Sequence, residues 1–229
     1  MSHFPHLSRL ALLVSLSFLS GCSSILPARG PAPDVFRLST INLPAREGKP
    51  LQAQLVVDVP IAMGGLNTDR VVIHENSYEL TYMAGTRWTD QVPRLVQSAL
   101  VQALESTNAF AGVGRQEEGI RRNFDLVSDL RAFDVNTQGM SHPHIVVTLA
   151  AKLLRAPIGE VLASKLFKAD VEAKGRGNEE IVGAFDEAMT AVATDIANWA
   201  AENAAHRTAE AQPVQPAATP AASPNTASQ

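Results

Sequence analysis

Apolar residues recur along this chain in two rhythms, and the switches between them mark out its elements. Ile145, Val147, Leu149, Ala151 and Leu153 take every second position, which gives a strand with one wholly apolar face. The runs Phe124 to Val135 and Val161 to Val171 read as neighbouring strands, the latter joined to its predecessor by a hairpin across Arg155 to Glu160. Upstream, Val35 to Ser39 and Gln52 to Val59 have strand character, and Pro60 halts the second. Val71 to His74 and Tyr78 to Met83 form a short pair around Glu75-Asn76-Ser77, with Leu80 and Tyr82 on one face. Gly64-Gly65 and Asn67 to Asp69 supply the turn chemistry between these pieces.

The helical rhythm appears twice. Val92, Leu95, Val96, Ala99, Leu100, Ala103 and Leu104 make an apolar stripe, with Thr89 or Asp90 as its cap and Asn108 and Gly112 at its exit. A second stripe runs Ile181, Phe185, Ala188, Met189, Val192, Ile196, Trp199, with Asn178 as N-cap and Glu179 and Glu180 at the positive end of the helix dipole. One-faced strands and two one-sided helices predict an α+β fold, a two-layer sandwich with a largely antiparallel sheet and both amphipathic helices on one face.

The ends follow neither rhythm. Leu10 to Leu19 is apolar apart from Ser15 and Ser17, follows a short basic start and is too short for the roughly 20 residues a membrane span needs. It reads as a signal peptide, residues 1–21. Leu19-Ser20-Gly21-Cys22 resembles the bacterial lipobox, which implies cleavage before Cys22 and lipid attachment to it. Two or more acyl chains make a stable anchor where one is marginal. Ser23 in place of Asp resembles Gram-negative lipoproteins kept at the outer membrane, with the chain on the periplasmic face. Residues 22–33, with Pro27, Gly30, Pro31 and Pro33, are an extended tether reaching about 30 Å. A single domain is expected over 34–205, followed by a disordered Ala/Pro/Ser/Thr-rich tail over 206–229.

Charge adds little: a net −4 over 229 residues favours no nucleic-acid partner, and one cysteine closes no internal disulfide. Catalytic signatures are sparse. Gly112-Val113-Gly114 lacks the third glycine of a dinucleotide loop, and no Walker loop, HExxH or GxSxG occurs. His142-Pro143-His144 has no evident third ligand and reads as a strand entry. Asp125 and Asp129 share a parity with Arg131 and read as a wet strand face. Carboxylates four apart on a strand lie about 13 Å from each other, too far for a glycosidase pair. Asp134 completes this acidic set. No catalytic, cofactor-binding or metal residue is assigned. Arg87-Trp88 has two readings, a staple with Trp88 over Leu95 or Val96, or a partner contact made of residue types that favour interfaces. Tyr82 and Trp199 are assigned to packing.

The order of lipobox, tether and strand pair, then "YMAGTRWTDQVPRLVQSAL" (82–100), "VVTLAAKLLRAPIGEVLASKLFKADVEA" (146–173) and "IANWAAEN" (196–203), resembles the ABC-type transport auxiliary lipoprotein components. The resemblance implies an outer-membrane lipoprotein that accompanies an MCE-domain protein and an ABC transporter in lipid movement, acting by contact, with no cofactor. A lipid- or glycolipid-binding carrier with a cavity between sheet and helices is the alternative, and a periplasmic hydrolase a more distant one. No heptad seam argues for a coiled coil, and homo-oligomerisation stays open.

Overall fold

A computed structural model describes residues 32–211, apart from Ser77 and Met140. The signal peptide, Cys22, nearly all of the tether and the tail from residue 212 lie outside the described residues. The elements are β1 (Asp34–Phe36), β2 (Leu51–Val57), β3 (Ile61–Ala62), β4 (Val72–Asn76), β5 (Glu79–Tyr82), β6 (Thr86–Trp88), α1 (Val92–Ser106), β7 (Phe110–Arg115), β8 (Phe124–Asn136), β9 (His144–Arg155), β10 (Glu160–Glu172) and α2 (Asn178–Ala211). A 3-10 turn, Gln116–Glu118, follows β7.

Eight strands form the main sheet around the path β10-β9-β8-β2-β7. Its spine is antiparallel: β8 pairs with β9 and β9 with β10 along nearly their whole lengths. The other edge of the thirteen-residue β8 receives β2, β3 and β4 in turn, all parallel to it. Three short strands share that edge because Pro60 and the Gly64-Gly65 turn break the chain between them. Both helices cover one face, α2 over β8, β9 and β10, and α1 over β2 and β7, with the helices also touching each other. The predicted two-layer sandwich is the observed one.

The core lies between the layers. The apolar face of β9 is fully covered, Ile145, Val147, Leu149, Ala151 and Leu153 all being 0% exposed. Phe185, Met189, Val192 and Ile196 of α2 belong to the layer that covers it, and Val96, Leu100 and Leu104 of α1 continue the same core over β2 and β7. At 1.5 Å per residue the 34-residue α2 is about 51 Å long. From Ala193 onward it buries Ala193, Ala197, Ala200, Ala201 and Ala204, small side chains that let it lie close to its neighbours.

Several local expectations change. The first helix has Gln91 at its N-cap without any side-chain cap, in place of Thr89 or Asp90. The Val92 N–H instead donates to the Thr68 carbonyl, 2.9 Å away, and the next residue, Pro93, has no N–H to satisfy. Asn178 is the first helical residue rather than the cap, and its side-chain amide donates to Asp34. The second helix continues to Ala211, through the first residues assigned to the tail. Thr86–Trp88 and Phe110–Arg115 are strands that the alternating rhythm did not announce, being short or rich in glycine.

Strand β8 carries the main surprise. Its register shifts between Leu130 and Ala132, a β-bulge that inserts one residue. Leu126 and Leu130 face the helices before it, Phe133 and Val135 after it. Asp125, Asp129 and Asp134 therefore all lie on the outer face. That face is not uniformly wet: Asp129 pairs with Arg131 at 3.2 Å and is half exposed, while Asp125 is 9% and Asp134 5% exposed. The expected wet face thus holds for Asp129 and Arg131 and fails for Asp125.

Candidate functional site

The quoted stretch 82–88 is where the N-terminal end of the folded domain is received. β1 lies parallel to β6 with Asp34 opposite Thr86, Val35 opposite Arg87 and Phe36 opposite Trp88. The Asp34 N–H donates to the Gly85 carbonyl and the Thr89 N–H to the Phe36 carbonyl, both at 2.8 Å. Gly85 has φ +68°, a left-handed conformation that glycine adopts without steric cost, and this turns the chain from β5 into β6. The Trp88 N–H donates to the Asp69 carbonyl at 2.7 Å, tying β6 to the preceding loop.

Arg87 and Trp88 have opposite fates, as adjacent residues on a strand must. The Trp88 side chain is buried at 2% exposure. Its ring meets Phe133 of β8 edge-on at 5.7 Å and Phe185 of α2 at 5.2 Å, and these two phenylalanines stack at 4.7 Å. Such aromatic pairs contribute about 0.5–1.5 kcal/mol beyond area burial. Trp88 thus welds β6, sheet and helix together, and its ring is not offered to a partner. Of the two readings of Trp88, packing is the one its burial fits, and the rings it meets are those of this three-ring cluster. Arg87 points outward, half exposed, with its guanidinium 2.6 Å from the Asp69 carboxylate. Nearby, Arg70 stacks over the Tyr82 ring at 3.8 Å, a cation–π contact on a half-buried tyrosine.

After β1 the chain becomes a strap over both helices. Ser39 donates its N–H and its hydroxyl to the two carboxylate oxygens of Asp186 on α2, at 2.8 and 2.5 Å. Ile41 is buried, and the N–H groups of Leu43 and Arg46 reach the Ser106 hydroxyl and the Thr107 carbonyl at the end of α1. A pull on residue 34 is therefore shared among β6, α2 and α1. Sequence reading missed Asp69, Phe133, Asp186 and the strap, because their partners lie 18 to 147 positions away. The one local signal was the Phe185 position on the second apolar stripe.

Elsewhere the outer face holds titratable clusters. Asp58 and Asp125 are both pushed above the usual carboxylate range, chiefly by burial, with Asp125 adding repulsion on Asp58 and Arg122 opposing both shifts. Burial likewise raises Asp134, and His74, 3.6 Å away, partly offsets it. His144 contacts Asp170 at 2.8 Å and His142 contacts Glu172 at 3.0 Å, so both imidazoles sit beside carboxylates at the strand entry. Among the described residues no group of three or more His, Cys, Asp or Glu is placed to hold a metal.

The space between sheet and helices, where a carrier would hold an acyl chain, is filled by side chains such as Leu130, Phe133, Leu149, Phe185, Met189 and Ile196. Surface depressions lie elsewhere, among them a cleft of about 310 Å³ lined by Glu172, Lys174, Glu179, Glu180 and Glu187. Among the described residues no helix is long and apolar enough to cross a membrane.

Comparison with known proteins agrees with this architecture. A Xanthomonas campestris protein of the DUF330 family superposes with a TM-score of 0.72 at 24% identity, over 77% of this chain and 99% of that one. A further uncharacterized protein of known structure gives 0.58 at 15% identity, over 75% and 98%. An uncharacterized protein of Bradyrhizobium diazoefficiens is 24% identical over 185 residues, 79% of this chain. The chain spans about half of that curated relative, 48% of its length. Residues 36–197, from the end of β1 well into α2, match the profile of the ABC-type transport auxiliary lipoprotein component, and the chain belongs to that family.

Proposed function

We propose that this chain is a lipid-anchored accessory component of an MCE-type intermembrane lipid transport system, held on the periplasmic face of the outer membrane and acting by contact rather than catalysis. Cys22 is the lipidated residue, 22–33 the tether, and 34–211 the module it carries. The observation that carries this reading is the junction at residue 34: the first described strand is locked to β6, and the strap behind it to α2 and α1. Such a junction lets an N-terminal anchor hold the domain without loosening its core. Tethering raises the local concentration of the domain at the membrane, and so favours a partner that is also held there. Of the Arg87-Trp88 pair, Arg87 alone has a side chain that a partner reaches.

The deciding experiment is fractionation of cells expressing Cys22→Ala. The variant folds normally but leaves the membrane pellet for the soluble fraction, while the unaltered chain sediments and incorporates labelled fatty acid. Sedimentation of the variant with membranes would refute the anchor. Membrane-lipid transport that is unchanged on deletion of the gene would refute the transport role.

A further inference from the structure

The two helices cover one face of the sheet, and the other face keeps exposed apolar residues. Strand register sets Leu166, Ala150, Asp129 and Ile61 in one row across β10, β9, β8 and β3. Ile61 is 75% exposed and Leu166 53%. Just past β3, Met63 is 80% exposed. A depression of about 140 Å³, the room of one side chain, opens in that row between Ile61, Val127, Asp129, Arg131, Ala150 and Lys152.

Charge distinguishes the occupants. Arg131 is paired with Asp129, and on the same face Lys168 is paired with Asp170. Among the described residues Lys152 makes no ion pair, so an exposed ammonium borders the apolar notch without an anion. The side chains of residues 1–31 and 212–229 do not supply one, because they include no Asp or Glu. A second copy facing this surface brings Asp129 and Asp170, both already paired with cations of their own chain. A bilayer gains little from a single unpaired lysine near an anionic surface, and the acidic residues of this face oppose it. Pairing along the free edge of β10 is discouraged as well: Lys165, whose neighbour in β9 faces the core, stays exposed there, and the strand is bulged between Val161 and Ala163.

We propose that the outer sheet face is a protein-docking surface, whose partner seats one aliphatic or aromatic side chain in the notch beside Ile61 and sets a carboxylate on Lys152. This deepens the accessory reading above and rests on it, since it says where the contact is made. Interface hot spots are side chains that fill well-packed, desolvated pockets, and the notch offers such a pocket.

The test places the photoreactive residue p-benzoyl-phenylalanine at position 61 of the full-length chain in intact cells, with position 190 on the exposed side of α2 as control. Position 61 is expected to crosslink to a protein of an envelope transport complex, identified by mass spectrometry, through a peptide that carries Asp or Glu beside an apolar residue. Adding Lys152→Glu should lower that yield at least tenfold, with the melting temperature of the detergent-purified chain unchanged. Adducts with lipid alone, with a second copy of the chain, or insensitive to Lys152→Glu would overturn the proposal, as would no adduct. Sedimentation of the same cells reports the anchor separately: a chain found in the soluble fraction refutes the anchored reading, while the crosslink decides the docking surface.

Discussion

Ser39 gives both of its donors to one acceptor group, the carboxylate of Asp186, across 147 positions of sequence. The contact joins the N-terminal strap to the first turns of α2, two residues beyond the buried Ala184 and next in sequence to Phe185 of the aromatic cluster. A hydrogen bond to a charged group contributes about 1.5–3 kcal/mol when shielded and less when wet, and this pair lies at the surface. Asp186→Ala is expected to cost about 1 kcal/mol in urea unfolding. More tellingly, it should speed proteolysis within 37–46, because the strap then keeps only its attachments to β6 and α1. Equal cleavage rates in the two proteins would show that the strap does not depend on this contact.

Trp88 should behave as a core residue. Trp88→Ala empties the junction of β6, β8 and α2 and is expected to cost about 3–5 kcal/mol, whereas Trp88→Phe retains a ring and costs much less. Arg87→Ala, which removes an exposed ion pair with Asp69, should change stability by less than about 1 kcal/mol. Denaturant midpoints for the three variants check the order, and a mild Trp88→Ala would contradict the burial.

Asp125 offers a test by pH. Burial raises its pKa above the ordinary 3.8, so the folded state holds a proton that the unfolded chain has already released. Between 3.8 and the raised value the folded protein binds more protons, and stability falls as pH rises; above that window the deficit is complete and constant. Asp58 and Asp134 act in the same sense. Asp125→Asn should therefore stabilise the protein at pH 7.5 and make no difference below about pH 3.8. Urea midpoints at pH 3.5, 5 and 7.5 read the effect, and a variant less stable at pH 7.5 reverses the sign and refutes it.

Gln97 is a polar side chain inside the core at 4% exposure, explained by its amide donating to the Val57 carbonyl at 2.9 Å. Val57 is the last residue of β2. Gln97→Leu fits the volume but leaves the acceptor unsatisfied, at a cost of about 1–3 kcal/mol. A neutral result in thermal unfolding would mean that water reaches Val57.

Periodicity was informative wherever one face of an element is buried. The alternation of 145–153 and the stripes from Val92 and Ile181 placed the three long antiparallel strands and both helices, because a one-sided apolar pattern admits only one orientation toward a core. Shorter pieces escaped. Three residues at Thr86–Trp88 or two at Ile61–Ala62 carry too few positions to show a period, and they become strands because a partner meets them in space, the equally short β1 for the former and the long β8 for the latter.

Sequence by itself determined the α+β layering and the Ala/Pro/Ser/Thr-rich composition of the C-terminal end, since these follow from composition and spacing, and it singled out the Arg87-Trp88 pair. Only the tertiary structure decided which of that pair is buried, that a one-residue bulge after Leu130 sends Asp134 outward and Phe133 inward, and that the strap closes on Asp186. The physical reason is range. Spacing records what each element buries, whereas a bulge, a ring cluster or a hydrogen bond across 147 residues exists only once the elements have met.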